Sequence, residues 1–369
     1  MAFNQDKIQE LYPEAVMYEA MKIHASTDVQ LQNACNSGEY MGQFKKDGYW
    51  YQFEKHNTYS YLFSRSPSSK TGLQTEKSAN VPHIMEALNC LPKDTILIGE
   101  IHYPGKTSKA CTEVMGCLPQ KAIDRQNGAW GKIHYYIHDI LMYDGIDFVV
   151  SQTTNELRYK ILEKIYKLHN LEQYDFLELA ETWYDDLYER VGTALDNGEE
   201  GMVIKKRTGI YEPGKRPDTN LKAKKVDFAD VVIIGFEAPT ARYYGTEINN
   251  WQYWIGTDDH EERLPIGCHN GESCVIAVTK PYYMGWNNSR INIGAYDDEG
   301  NLVNIGTIHS GISDEMKQDM TEHPEQYFNK VCSIQCMEKD SVEHTIRHGF
   351  YKHMREDKSA EDCKLRDIF

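Results

Sequence analysis

The stretch Lys45-Lys46-Asp47-Gly48 lies inside a run, Tyr40 to Phe63, where apolar and aromatic residues alternate with polar ones. That period of two reads as antiparallel strands. The tetrapeptide alone is a common string, and its weight comes from an ordered series of residues downstream. Ser64-Arg65 comes next, then Glu100 within Thr95–Tyr103 and Asp139 within Ile133–Tyr143. Further on are Glu199-Glu200-Gly201-Met202-Val203-Ile204-Lys205, the pair Lys222 and Lys224, and Arg355-Glu356-Asp357-Lys358. In Thr95–Tyr103 the alternation sets Ile96, Ile98, Glu100 and His102 on one face, and Leu97, Gly99, Ile101 and Tyr103 on the other. A carboxylate in mid-strand needs a partner if it is buried. Lys222 and Lys224, two apart, project their amines to one side, where an anion between them would offset their repulsion; the plain alternative is a solvated basic edge. The same alternation sends Lys46 to the face opposite Lys45.

With 369 residues the chain can hold two domains, each with its own core. Hydrophobic content of 40% and 25 tyrosines fit a globular protein with many half-buried rings. No apolar run approaches the roughly 20 residues needed to cross a bilayer. The start, Met1-Ala2-Phe3-Asn4-Gln5-Asp6, lacks the basic and apolar regions of a signal peptide, so no membrane association and a cytoplasmic location are expected. The 9 cysteines form no C-x-x-C pair and read as reduced thiols; zinc at Cys268 and Cys274 is a remote alternative. Net charge is −16. Residues 1–226 hold 27 basic and 31 acidic side chains, and residues 227–369 hold 13 and 25, so the acidity is concentrated in the second part. Eight basic residues fall between Lys205 and Lys225, a local focus able to meet phosphate despite the overall sign.

Residues 1–35 read as one or two helices broken at Pro13. Asn155 is placed to cap a helix with Leu157, Ile161, Leu162, Ile165 and Leu168 on one face. Gly201–Lys206 and Leu221–Lys225 read as short strands. Beyond residue 226 strands dominate: Val231–Phe236, Cys274–Val278, Ile291–Tyr296, Leu302–Ile308 and Cys332–Met337. They are interrupted by a helix from Ser313 to Met320 and a hairpin turn at Asp297-Asp298-Glu299-Gly300-Asn301.

The ordered series resembles the covalent nucleotidyltransferases, and among them the compact, phage-type ATP-dependent DNA ligases. The resemblance runs from residue 40 to residue 363. It implies an α+β fold: an ATP-grasp-like nucleotidyltransferase (adenylation) domain with antiparallel sheets over residues 1–226, followed by an OB-fold β-barrel domain over residues 227–369. It makes Lys45 the nucleophile that forms a lysyl-AMP phosphoramidate. Asp47 would bind the lysine, a metal-bound water or the ribose edge, and Arg65 would contact phosphate. Glu100 would accept from a ribose hydroxyl and share a metal site with Glu200. Lys205, Lys222 and Lys224 would hold the nucleotide. Arg355 and Lys358 would orient the pyrophosphate leaving group from a mobile second domain.

The same resemblance implies ATP and Mg²⁺ (or Mn²⁺) as cofactors and nicked double-stranded DNA as partner. It also implies a monomer and work in DNA repair, replication or recombination, in a host cytoplasm if the chain is phage-encoded. Two positions depart from the pattern. His138 stands where relatives place the phenylalanine that stacks on adenine, with Tyr136 on the same strand face as an alternative. Trp50 stands where they place an arginine, and Arg65 or the Lys215–Arg216 pair is expected to compensate. An RNA ligase and a GTP-dependent mRNA capping guanylyltransferase share the lysine chemistry and are the competing readings. NAD as the AMP donor is disfavoured, because neither an extra N-terminal domain nor zinc-binding cysteines are seen.

Overall fold

The computed structural model describes residues 5–68, 71–197, 199–224, 227–241, 279–336, 338–340 and 343–369. The strand expected at Cys274–Val278 and the pair Cys268 and Cys274 lie outside these residues. The chain divides into two compact units, Met1–Lys225 and Val226–Phe369.

In the first unit the alternating runs build two sheets. One holds, in spatial order, His24–Ala25, Asn220–Lys224, Gly201–Lys206, Tyr40–Lys45 and Thr182–Trp183. The other runs Gln74–Glu76, Ser60–Pro67, Tyr49–Lys55, Thr95–His102, His134–Tyr143 and Ile146–Asp147, with Leu177–Leu179 added in parallel beside His134–Tyr143. The strands either side of Lys46-Asp47-Gly48 thus belong to different sheets, and this stretch is the passage between them rather than a hairpin. Gly48 permits the passage. A Cβ there would lie 2.3 Å from the Ile101 carbonyl oxygen and 2.9 Å from Glu100 Cγ, so the loop rests directly on the Glu100 strand.

Alternation in Thr95–His102 divides the burial as the sequence predicts. Leu97, Ile101 and Tyr103 join the main core with Phe53, Ile137 and Leu162, while Ile96 and Ile98 pack with Leu141 and Tyr211. The lysine sheet has its own core, in which Met202 and Ile204 meet Leu31, Leu187 and Val191 from the helices Asp28–Asn36 and Leu187–Asp196.

Two local expectations are corrected. Helices occur at Gln5–Leu11 and Asp28–Asn36, but the Val16–Ile23 portion of the loosely helical pattern is not helical. There the backbone N–H of Val16 donates to Glu54 at 2.8 Å and that of Tyr18 to Gln52 at 3.2 Å, so two buried polar side chains take donors a helix would have kept. The helix Asn155–Leu168 is capped by Thr154 rather than Asn155, and its buried face is Arg158, Tyr159, Leu162, Ile165 and Tyr166. Leu157 and Leu168 are exposed. The helix is rotated from its apolar stripe because Arg158 enters the core as the counter-ion of a buried aspartate.

The second unit contains five main strands, Asp227–Glu237, Arg290–Tyr296, Leu302–Ile308, Val331–Cys336 and Phe350–Met354. Counted in chain order their spatial order is 3-2-1-4-5, all antiparallel. The two edges meet in a parallel bridge between Ser310 and Phe350, where Tyr351 N–H donates to Ser310 O at 2.9 Å. Strand five closing on strand three gives the Greek-key connectivity of a partly open OB-type barrel. Phe350–Met354 and the small hairpin Glu338–Asp340/Thr345–Arg347 add to the strands expected from the sequence. The helix Asp314–Glu322, capped by Ser313, and the turn at Asp297–Asn301 fall where expected.

Candidate active site

Lys45, Gly201 and Lys224 lie side by side across three neighbouring strands. Gly201 is the residue that lets two lysines flank one carboxylate. Its φ is +140°, and a Cβ would fall 1.9 Å from the Ala223 carbonyl oxygen, so no other residue fits without moving a strand. Glu200, immediately before it, accepts from both the Lys45 and the Lys224 ammonium groups. Lys222 is two residues from Lys224, on the same strand. Burial, and then the positive charges of Lys224, Lys45 and Arg216, hold its pKa below the usual lysine range, with Glu200 opposing.

Glu100 approaches from the other sheet and lies within electrostatic reach of Lys45, Glu200, Arg65 and Asp47. Burial pushes its carboxyl up to about 8; Lys45 and Arg65 pull the other way, and Glu200 and Asp47 add to the rise. Part of its surface remains accessible. Asp47 accepts from the backbone N–H of Ser108 at 2.9 Å, at the start of the helix Ser108–Met115. Trp50 is the cross-strand partner of Glu100 and packs its ring among apolar side chains. It supplies no charge there; Arg65, an exposed residue on the adjacent strand Ser60–Pro67, does.

A bulge at His138, between the pairs Gly99–Ile137 and Ile98–Asp139, forms the next part of the wall. Burial, and then Lys205, hold the imidazole at about 3, so it is neutral at physiological pH. Among the described residues, His138 Nδ1 and the Tyr136 hydroxyl are both buried without a hydrogen-bond partner. Lys205 is buried behind them and donates to His138 O at 3.4 Å; burial lowers its pKa to about 8, against the pull of Asp139. Lys205 thus reaches the backbone of the strand that carries His138. Lys46 pairs instead with Glu199 at 3.1 Å and lies over the Phe44 and Tyr136 rings.

Sequence reasoning missed Arg158. Its fully buried guanidinium grips Asp139 through two hydrogen bonds of 2.8 and 2.9 Å and also donates to Asn155 Oδ1 at 2.7 Å and Thr153 O at 2.6 Å. Burial pushes the Asp139 carboxyl up, but Arg158 outweighs it and the net direction is down. The sequence signal is indirect: an aspartate in an apolar strand requires a buried cation but does not say which one.

Arg355 and Lys358 belong to the second unit. Both donate to Asp230, at 2.9 and 3.2 Å, and Arg355 also grips Asp357 at 2.8 and 2.9 Å. They line a cavity of about 590 Å³ with Tyr327 and Lys330.

A lysine flanked by acids and further lysines, set where two largely antiparallel sheets meet, defines a charged site of the nucleotidyltransferase kind. Residues 21–224 match the family described as the ATP dependent DNA ligase domain, and the chain belongs to that family. It is 27% identical over 235 residues to a "Probable DNA ligase" of Rhodococcus opacus (strain B4), spanning 62% of this chain and 42% of that protein. It is 28% identical over 161 residues to a "DNA ligase" of Lymantria dispar multicapsid nuclear polyhedrosis virus, spanning 42% of this chain and 27% of that protein. The chain thus spans less than half the length of the curated relatives it matches. Among solved structures it is similar to one described as Pmar-Lig_PreS3, with TM-score 0.60 and 19% identity over 95% of this chain and 71% of that one. A structure from a study of Lig E DNA ligases has TM-score 0.56 and 12% identity, covering 92% of this chain and 100% of that one. At these identities the two structures establish a shared fold.

Proposed function

We propose that this protein is an ATP-dependent DNA ligase that seals 5′-phosphate/3′-hydroxyl nicks in duplex DNA, working as a monomer in the cytoplasm. The observation that carries the reading is the Lys45 amine held against Glu200 beside Lys224, with Glu100 facing it from the second sheet. Lys45 attacks the α-phosphorus of ATP. The ammonium first gives one proton to the carboxylate already touching it; the neutral amine then forms the nitrogen–phosphorus bond as the bond to pyrophosphate breaks, and the second N–H proton leaves with the pyrophosphate or to solvent. The 5′-phosphate at a nick then displaces the lysine, and the 3′-hydroxyl displaces AMP. Every step moves negative charge at phosphorus, which is why cations crowd the cleft.

Lys222 and Lys224 suit the phosphates, and Arg65 takes the role of the cation that Trp50 lacks. The neutral imidazole of His138, or the Tyr136 ring, suits the face of adenine, and their unpartnered polar atoms suit its edge. Asp47, anchored to a helix start, sits by the ribose, and Lys205 braces the wall. Arg355 and Lys358 serve the pyrophosphate. Glu100 and Glu200 offer the hard oxygen donors that Mg²⁺ or Mn²⁺ takes, and a carboxyl held near 8 is a group that gains from a bound cation. Bound there, the ion supplies positive charge to the phosphates.

Incubation with labelled ATP is expected to leave AMP on the wild type and none on Lys45→Ala, and sealing of a nicked DNA duplex is expected only from the wild type. Label transferred from GTP instead, or sealing confined to RNA duplexes, would replace this reading with the capping or the RNA-joining one.

A further inference from the structure

We propose that His102, His134 and Glu178 form a binding site for one divalent ion of the zinc type, held by Nε2 of His102, Nδ1 of His134 and a carboxylate oxygen of Glu178. Three adjacent strands deliver these residues. His102 and His134 are direct cross-strand partners on Thr95–His102 and His134–Tyr143. Glu178 comes from Leu177–Leu179, paired in parallel on the far side of His134–Tyr143. The three ligand atoms lie within 4.8 Å of one another. One Glu178 oxygen is 3.1 Å from His102 Nε2 and 2.6 Å from His134 Nδ1.

Those spacings are close to the separations of about 3.3 Å between ligands placed about 2.0–2.1 Å from a tetrahedral zinc, so the ion enters with small side-chain movements. Two imidazoles and a carboxylate are also the donor set of known three-ligand zinc sites that keep a fourth position open. Burial meets both requirements of such a site. His102 is 4% exposed and fixed by packing. The side chains of His134 and Glu178 keep 22% and 29% of their surface, which leaves a path for the ion and its water. The mixed nitrogen and oxygen set also separates this site from the Glu100/Glu200 pair, whose oxygens suit Mg²⁺. His102 is two residues beyond Glu100, roughly 7 Å along the strand, too far for one ion to serve both. The bound ion ties the short strand Leu177–Leu179 to the sheet that carries Glu100. The site needs nothing from the ligase chemistry and stands whether or not Lys45 is adenylated.

The competing outcome is a purely hydrogen-bonded triad, with Glu178 accepting from two imidazoles. Full-length protein stripped with chelator is titrated with Zn²⁺ against a chromophoric chelator and, separately, with Co²⁺. One equivalent is expected to bind with Kd below about 1 μM, Co²⁺ giving visible d–d absorption without the near-ultraviolet charge-transfer band of thiolate ligation. His134→Gln, which keeps a hydrogen-bonding side chain, and Glu178→Gln are each expected to weaken binding at least about tenfold. No stoichiometric binding by the wild type, a thiolate band, or unchanged affinity in both variants would overturn the site. The first two readouts need no variant to fold.

Discussion

At the scale of single residues, Glu100 gives the folded chain a pH response of its own. Its carboxyl holds its proton to about 8 in the folded chain, against an ordinary value near 4.5. A raised folded-state value contributes stability that is complete below the unfolded value and is lost as pH rises through the folded one. Between those limits the folded chain keeps a proton that the unfolded chain releases. Glu100→Gln removes that dependence. In metal-free, nucleotide-free buffer the wild type should therefore lose about 2 kcal/mol relative to Glu100→Gln between about pH 5 and about pH 9, less than the full shift would give because solvent in the cleft screens the charge. Urea denaturation of both proteins across that range checks it, and parallel curves would contradict it. The same proton links stability to catalysis: a cation entering beside Glu200 favours the ionised carboxylate and should flatten the wild-type curve.

At the scale of elements, the cleft depends on one glycine and one arginine. Gly201→Ala must relieve both a φ of +140° and a contact of 1.9 Å with a neighbouring strand. Its expected cost is about 3 kcal/mol or more, with loss of AMP transfer to Lys45, because the Glu200 carboxylate leaves its place between the lysines. Thermal denaturation alongside labelled-ATP incubation measures both. Arg158→Met leaves Asp139 buried and unpaired, at about 3–5 kcal/mol, whereas Arg158→Met with Asp139→Leu should recover most of that loss. Equal losses in the single and double variants would show that the ion pair is not what anchors the helix Asn155–Leu168. Arg158 also marks where sequence reading stopped. Lys45, Glu100, Glu200, Lys222 and Lys224 were legible because strand alternation fixes which way each points and the motif fixes their order. Arg158 was not: helix periodicity reads an apolar stripe, and nothing local says that a guanidinium will displace Leu157 and Leu168 from the core. The passage of Lys45–Gly48 between sheets was likewise hidden, since alternation gives the face of a strand but not its neighbour. Val16–Ile23 looked helical because its spacing carries no record of Gln52 and Glu54, buried some 35 residues later, which take its backbone donors.

At the scale of the whole molecule, a net charge of −16 has to be reconciled with the phosphate-rich partner proposed above. Counterion release depends on the cations that touch phosphate, not on the sum, and acidic groups more than about 8 Å away are largely screened at physiological salt. Several of the basic residues after Lys205 are already engaged. Lys206 pairs with Glu39 at 3.0 Å, Arg207 with Glu156 at 2.9 Å, and Lys224 with Glu200. Lys215 and Arg216 are both exposed; Lys215 reaches Glu212 only at 3.9 Å, and their loop is tied by Lys22 N–H donating to Lys215 O at 2.7 Å. A tethered loop presenting two exposed cations suits a grip on the backbone of the proposed DNA partner. Binding to a nicked duplex should weaken steeply with salt. A Lys215→Ala/Arg216→Ala variant should bind more weakly, with a slope of log Kd against log salt shallower by about 2, one for each phosphate left without its cation. Titration of a labelled nicked duplex at several salt concentrations gives both slopes. Equal slopes would place the phosphate grip elsewhere on the molecule, even if the variant bound more weakly at a single salt concentration.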